Sequence, residues 1–443
     1  MSVRLFARAI SVTALAATGS VIVTPPAPAD PAASPPTSAS QATHGWGPAK
    51  TLAGNPRGES MVVDARNTIT IVWATTSSGS IVALRHRAGG GWGEPEVIGR
   101  GYEPQVEADS RGNVTVVWLT QRDGVTDGVA AARRPSGGHW SDPVQLSRDL
   151  SVPGYTPGGE SPYGAAVVDL AVNPTGAVVA AWSWGSDDRG VPWRIQSARR
   201  PAGGSWGEPV DVTPASGAKD PQLGIAADGA ATLVYGWQRF GHPRVLKARQ
   251  LRAGDGWSEA SVVAVEGSGE TLTVDRAGNS LVVFTPDFNQ VEATYRPARG
   301  KWRAARTLSP DGVTISDFSS AVNGRGMAVV VLGRGNGRVD LVKRPSHGSW
   351  SAPVRVARPG TTVYDVLAAL NGAGDTFVGW GGTALYGTYR PQGGTWSRRF
   401  AISPDAGADV LEATFAEVAP NGDVVVMWEQ EARPLKVRLL TGH

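Results

Sequence analysis

The chain of 443 residues contains no cysteine. Disulfides therefore hold no part of the fold, thiol catalysis is excluded, and a lipoprotein anchor has no residue to carry it. Histidine is scarce too: His44, His86, His139, His242, His347 and His443 are the whole set, and they show no metal-ligand spacing. No Gly-x-Ser-x-Gly elbow, phosphate-binding loop or His-Glu-x-x-His occurs, so no motif supports nucleophilic or metal-dependent chemistry. Past residue 45 there is no convincing helical period. Only one long apolar run exists, over residues 9–23. Arg4 and Arg8 precede it and Ala27-Pro28-Ala29 follows, which reads as a secretory signal peptide over residues 1–29, too short for a membrane span. Residues 30–44, rich in Ala, Pro, Ser and Thr, read as a disordered linker. The expectation is a secreted, extracellular protein. Excess charge of one sign is lacking as well. Without Arg4 and Arg8, 40 basic groups face 39 acidic ones, which gives no electrostatic basis for a nucleic-acid partner or for membrane insertion.

What the chain has is tryptophan at regular intervals. Trp46, Trp92, Trp140, Trp206, Trp257, Trp302, Trp350 and Trp396 each open a similar phrase, at steps of 46, 48, 66, 51, 45, 48 and 46 residues. A period of roughly 40 to 50 residues built from strand-like pieces is the signature of a β-propeller. The second copy shows the unit: alternation over 104–109, a turn at 110–113, then strands over 114–118, 129–134 and 140–146, here called a to d. Asp-x-x-Gly-Asn joins a to b, and Arg-Pro-x-Gly-Gly-x-Trp joins c to d. The b strands end at Trp73, Trp118, Trp182, Tyr235, Phe284, Leu332, Trp380 and Trp428, again eight. Residues 45–443 are therefore expected to form one all-β, eight-bladed propeller of four-stranded blades. The array starts on a d strand and ends on a c strand, so residues 46–52 should complete the last blade against 435–440, removing a free edge.

The c–d hairpin resembles a degenerate Asp-box, the Ser-x-Asp-x-Gly-x-x-Trp turn of sialidase-like propellers. Gly137, Gly203 and Gly393 stand three residues before their Trp, while the Asp position is taken by Pro135, Pro201, Pro297, Pro345 and Pro391. Residues 45–443 also resemble secreted actinobacterial repeat proteins with Val-Asp-x-x-Gly-Asn-x-x-x-Val-Trp and Arg-Pro-x-Gly-Gly-x-Trp units, a group without a settled activity. The resemblance implies the fold and carries no catalytic residue over, since the arginine triad and tyrosine nucleophile of sialidases have no counterpart motif here. The repeated Arg at the ends of c strands and the Asp or Asn opening the a–b turns are explained by cation-π stacking on the d-strand Trp and by side-chain bonds to the turn backbone.

Two features exceed the repeat. Trp184, Trp193 and Trp237 belong to neither tryptophan set and fall in or beside the b–c connections of blades 3 and 4. The 66-residue step reflects an insertion over 148–164 that carries Tyr155, Glu160 and Tyr163. With Asp187, Asp188, Arg189, Asp220, Arg239 and His242 nearby in sequence, these aromatics supply what a sugar site needs: rings for pyranose faces and charged groups for hydroxyls. The alternative is a local minicore beneath the insertion. Secondly, aligning blades on their b strands places Glu103, Asp220, Asp317 and Asp365 at one position near the start of strand a. Glu59, Glu270 and Glu412 lie one residue away and Asp169 two. Such an acidic channel mouth would hold a cation, with calcium the candidate, or supply paired carboxylates to a glycosidase; the alternative is polar lining of a water-filled channel. Two functions follow as expectations. One is a non-catalytic binding propeller for a carbohydrate, a cell-envelope ligand or another protein. The other is a polysaccharide-acting hydrolase or lyase.

Overall fold

The structure is a computed structural model that describes residues 45–441, apart from 55, 123–124, 148–164, 187–190, 239–240, 253–255, 287–288, 347, 360–362, 364, 383, 404–410 and 431–433. Residues 1–29 and 30–44, read above as a signal peptide and a linker, and the 148–164 insertion lie outside the described residues. Within them the chain is all β, in eight antiparallel sheets. The innermost strands are Pro56–Val63, Tyr102–Ala108, Ala165–Val172, Ala218–Ile225, Ser268–Val274, Ile315–Val322, Val366–Leu370 and Leu411–Val418. Each packs on the next, and the eighth packs on the first, so the ring closes. Closure is made by the two ends of the array. Pro434–Thr441 pairs with Gly45–Trp46 (Trp46 opposite Leu440) and with Lys50–Gly54 (Lys50 opposite Val437). The outermost strands are short, only Val144–Gln145 in blade 2; Pro143 just before it has no N–H to offer a ladder, which blunts the edge.

The repeat is explained by where its aromatics go. One apolar cluster lies between each pair of neighbouring blades. Each d-strand Trp reaches back onto the preceding blade: Trp140 packs on the blade 1–2 cluster with Trp118, and Trp206 on the blade 2–3 cluster with Trp182. The turn residues act as expected. Asp109 Oδ1 accepts from the amides of Arg111 and Asn113, both at 2.9 Å, and Asn371 Oδ1 accepts from Gly374 and Asp375 at 2.9 and 3.0 Å. Arg200, Arg390 and Arg438 sit 5.7, 5.9 and 5.6 Å from the rings of Trp206, Trp396 and Trp46. In blades 1, 4 and 8, His86, Leu251 and Leu440 take the register place held by Arg200 and Arg390, and Arg438 reaches Trp46 from two residues earlier in its strand. At Gly137 the c–d hairpin turns through a φ of +76°, which favours glycine.

Inner strands converge on the axis without pairing to one another, so amides on their free edge need acceptors. The preceding blade supplies them. Ser60 Oγ accepts from Val106 N at 3.2 Å, Asp169 Oδ2 from Leu223 N at 2.6 Å, and Gln222 Oε1 from Leu272 N at 2.7 Å. Asp317 Oδ2 accepts from Val366 N at 2.8 Å, and Glu417 Oε2 from Val63 N at 2.9 Å. Burial raises Asp169 to about 7 against the pull of its two backbone bonds, and raises Glu417 to about 8 against one.

Two outcomes are expected. Deleting residues 41–53 removes Trp46 from the blade 7–8 core and bares the edge of Pro434–Thr441; urea titration should show a loss of at least about 3 kcal/mol. The raised carboxyls bind more protons folded than unfolded, so stability is greatest below their unfolded values. It declines as pH rises through about 7 to 8, where the penalty is complete. Chemical denaturation between pH 5 and 9 should show this decline, and Asp169→Asn should flatten it.

Candidate functional site

The b–c connections and the starts of the inner strands share one face, and the sector of blades 3 and 4 on that face carries the extra indoles. Their positions follow from strand alternation. Trp184, two residues after Trp182, points toward blade 2 and packs on the blade 2–3 cluster; Arg194 lies 4.7 Å over its ring. Trp193, two before Ile195, points the other way, toward blade 4, and is 7% exposed. The Lys219 Nζ is 4.6 Å from its ring, and a Cβ at Gly185 would collide with it. Trp237 packs on the blade 3–4 cluster, half-buried, with Lys247 Nζ 3.6 Å from its ring.

Trp193 and Trp237 grip the same connection. The Trp193 carbonyl accepts from the amides of Ser216 and Gly217, both at 3.0 Å, and Trp237 Nε1 donates to Ser216 Oγ at 3.3 Å. Trp184, on the other side of the blade 3 sheet, does not share it. The three indoles therefore do not line one groove. His242 is exposed, and its carbonyl accepts from Gln238 Nε2 at 3.2 Å. Tyr163, Asp187, Asp188, Arg189 and Arg239 lie outside the described residues.

The acidic positions at the channel mouth separate into two kinds. A register shift interrupts the inner strand at Pro56/Glu59, Tyr102/Gln105, Lys219/Gln222 and Ser268/Thr271, and one residue in each has a left-handed backbone: Gly58 (φ +81°), Glu103 (+50°), Asp220 (+54°) and Gly269 (+59°). Where glycine takes that place, the following Glu59 or Glu270 turns inward and is 7% or 2% exposed. Where the acid itself takes it, a proline follows and the side chain stays nearer the surface, half-buried at Glu103 and exposed at Asp220. The Asp220 side chain is 51% exposed, and the Glu103 carboxylate lies 2.8 Å from where a Cβ on Gly58 would stand. The bulge, which needs a glycine or tolerates an acid in the left-handed region, decides which acids reach water.

Arg244 completes this corner, a residue that the repeat gave no reason to single out because it belongs to the b–c connection of blade 4. Its Nη1 and Nη2 each donate to one Glu270 oxygen at 2.6 Å. Nη2 also donates to Asp220 Oδ2 at 3.1 Å and Nη1 to the Gly267 carbonyl at 3.0 Å. Burial alone would lower the Arg244 value, but the two acids outweigh it and hold it above the ordinary guanidinium value. Further round the mouth, Asp317 is raised to about 7, first by loss of water and then, against the Val366 bond, by the charge of Asp365. Repulsion between mouth carboxylates is thus present at this pair but smaller than burial. Among the described residues no group of three or more His, Asp or Glu side chains comes together to hold a metal ion. The candidate calcium ring therefore has no donor set among the described residues, because Glu59 and Glu270 turn inward and Arg244 neutralises the blade 4–5 corner.

No protein-family model matches the chain, and no curated protein is similar to it in sequence. Solved structures are. A lectin from Burkholderia pseudomallei is similar at a TM-score of 0.54 and 13% identity, over 80% of this chain and 100% of that one. A polysaccharide lyase gives a TM-score of 0.47 at 10% identity, over 76% and 89%. A mutant Aleuria aurantia lectin in complex with a methyl fucoside gives 0.41 at 11%, over 81% and 98%. At such identities the likeness concerns the fold. Among the described residues no helix is long and apolar enough to cross a membrane.

Removing Arg244 should expose its structural role. Arg244→Gln leaves the Glu270 carboxylate buried without its partner and should lower stability by about 3 to 5 kcal/mol, read by urea denaturation. Melting temperatures in calcium and in EDTA at matched ionic strength should coincide.

Proposed function

We propose that this protein is a secreted, non-catalytic binding propeller that recognises a carbohydrate or cell-envelope ligand through the loops of blades 3 and 4. The observation that carries this reading is the Trp237 corner. A half-buried indole that the repeat does not require stands at the rim of two blades, with the Ser216 hydroxyl on its Nε1 and exposed Gln238 and His242 after it in the chain. An indole with a hydroxyl on its Nε1, followed along the chain by an exposed amide and an exposed imidazole, offers a sugar one apolar face and several hydrogen bonds. Trp193 supports the corner from below and holds the 214–217 connection in place. The unmatched residues Tyr163, Asp187, Asp188, Arg189 and Arg239 belong to the adjoining connections and are proposed to complete the surface. Export is proposed on the apolar run over residues 9–23, and the degenerate Asp-box and actinobacterial kinship on the c–d hairpin phrase. That a propeller of similar size is a lectin in Burkholderia pseudomallei is consistent with this use of the scaffold.

A second reading, a glycoside hydrolase or lyase working on polysaccharide, is favoured by one observation. Asp317, raised to about 7, stands in the field of Asp365, the arrangement in which one carboxyl keeps its proton while another gives it up.

Glycan-array binding with release of reducing sugar measured in parallel separates the two. Under the binding reading Trp237→Ala should weaken binding by about 1 to 3 kcal/mol with little change in melting temperature. Trp193→Ala should instead destabilise the protein by about 3 to 5 kcal/mol. Sugar release abolished by Asp317→Asn would reverse the choice.

A further inference from the structure

The face opposite this sector, where the a–b turns and c–d hairpins lie, brings arginines together at two successive junctions. Thr70 is paired with Arg85 and Thr115 with Arg133. Val72 and Val117, two residues further along the same strands, pack in the blade 1–2 and blade 2–3 clusters, so these Thr and Arg side chains face the following blade. Arg134 is paired with Val114, and Arg200 with Val178. Those valines belong to the same two clusters, so Arg134 and Arg200 face back toward the preceding blade. Each junction therefore holds two guanidinium groups and one threonine hydroxyl. Arg85 Nε donates to Thr70 Oγ1 at 3.3 Å, and Arg200 Nη2 crosses from blade 3 to Thr115 Oγ1 of blade 2 at 3.1 Å. Threonine holds this register only in blades 1, 2 and 4; Val179, Leu281, Val329, Phe377 and Val425 take it elsewhere.

These cations have too few acceptors. Arg134 and Arg200 are each 8% exposed, yet Arg134 Nε and Nη1, Arg200 Nε and Arg133 Nε are buried with no hydrogen-bond partner among the described residues. Trp140 Nε1, on the indole that packs on the blade 1–2 cluster, is a further donor in the same condition. Nearby carboxylates are engaged. Asp64 Oδ1 accepts from the amides of Arg66 and Thr68, and Asp109 takes Arg111 and Asn113; Glu96 is exposed at the rim. Burial and then the charge of Arg134 lower Arg85, against Asp64 and Glu96. Burial and then Arg133 lower Arg200 to about 10, against Asp109. Buried donors without acceptors, on cations that repel one another, call for an anion between them.

We propose that the blade 1–2 and blade 2–3 junctions each bind an oxyanion, a phosphate or sulfate group, the first between Arg85 and Arg134 and the second between Arg133 and Arg200. A divalent tetrahedral oxyanion matches two guanidiniums in charge and presents acceptors along their donor directions, whereas chloride does neither. The half-buried Arg85 and Arg133 form the open side through which it enters. The site is separate from the Trp237 corner and does not depend on it.

Equilibrium dialysis of the whole protein with inorganic phosphate, and separately with sulfate, tests this at constant ionic strength set by chloride. One anion is expected per junction, with a melting temperature a few degrees above the chloride control. Arg85→Gln should weaken the first site and Arg133→Gln the second, each by about tenfold or more. A preference for phosphate or for sulfate names the ester group recognised, and either supports the proposal. Absence of binding and of stabilisation in the unmodified protein overturns it, whatever the folding of the variants, and so does unchanged stoichiometry in folded Arg85→Gln/Arg133→Gln protein.

Discussion

Everything in this ring depends on satisfying the free edge of the inner strands. Eight strands converge on the axis without pairing to one another, and the amides on their free edges must find acceptors. The solution is lateral. A polar side chain from one blade reaches the inner strand of the next, as Ser60, Asp169, Gln222, Asp317 and Glu417 do. A buried amide without a partner costs about 1 to 3 kcal/mol, so these bonds fix the angular spacing of the blades as firmly as the apolar clusters between them. Turn residues repeat the device on the other face, where Asn173, Asn323 and Asn371 donate to carbonyls of the following blade.

That constraint changes the meaning of the acids near the axis. A carboxylate that accepts a neighbour's amide, or is clamped by Arg244, is part of the frame and is not at liberty to hold a metal ion. The groups left for recognition among the described residues lie in two places: the Trp237 corner on one face, which the period does not require, and on the other the doubled arginines between blades 1, 2 and 3, repeat cations whose donors outnumber the acceptors around them. A near-neutral chain thus carries locally uncompensated charge, which net charge conceals.

The blade count, the strand order and the closure by residues 45–54 were legible because one d-strand tryptophan marks every blade and an a–b turn stands at a nearly constant distance from it. Two kinds of information were not. The direction of a side chain near a bulge depends on which residue takes the left-handed place; Gly-Glu and Glu-Pro or Asp-Pro spell two outcomes at Glu59, Glu270, Glu103 and Asp220 that simple alignment merges. Partners from different blades are the other kind. Arg85 and Arg134 are 49 positions apart, and each alone is an ordinary repeat cation. Alternation also separates Trp184 from Trp193, which stand close in sequence yet face different blades.

Hydrogen exchange of the whole protein, with and without a mixture of cell-envelope polysaccharides, tests the functional account most directly, because it reads every blade at once. Protection is expected over residues 214–219 and 237–244, with the inner strands of the other blades unchanged. Protection centred on Asp317 and Asp365 instead, or none anywhere on the loop face, would contradict it.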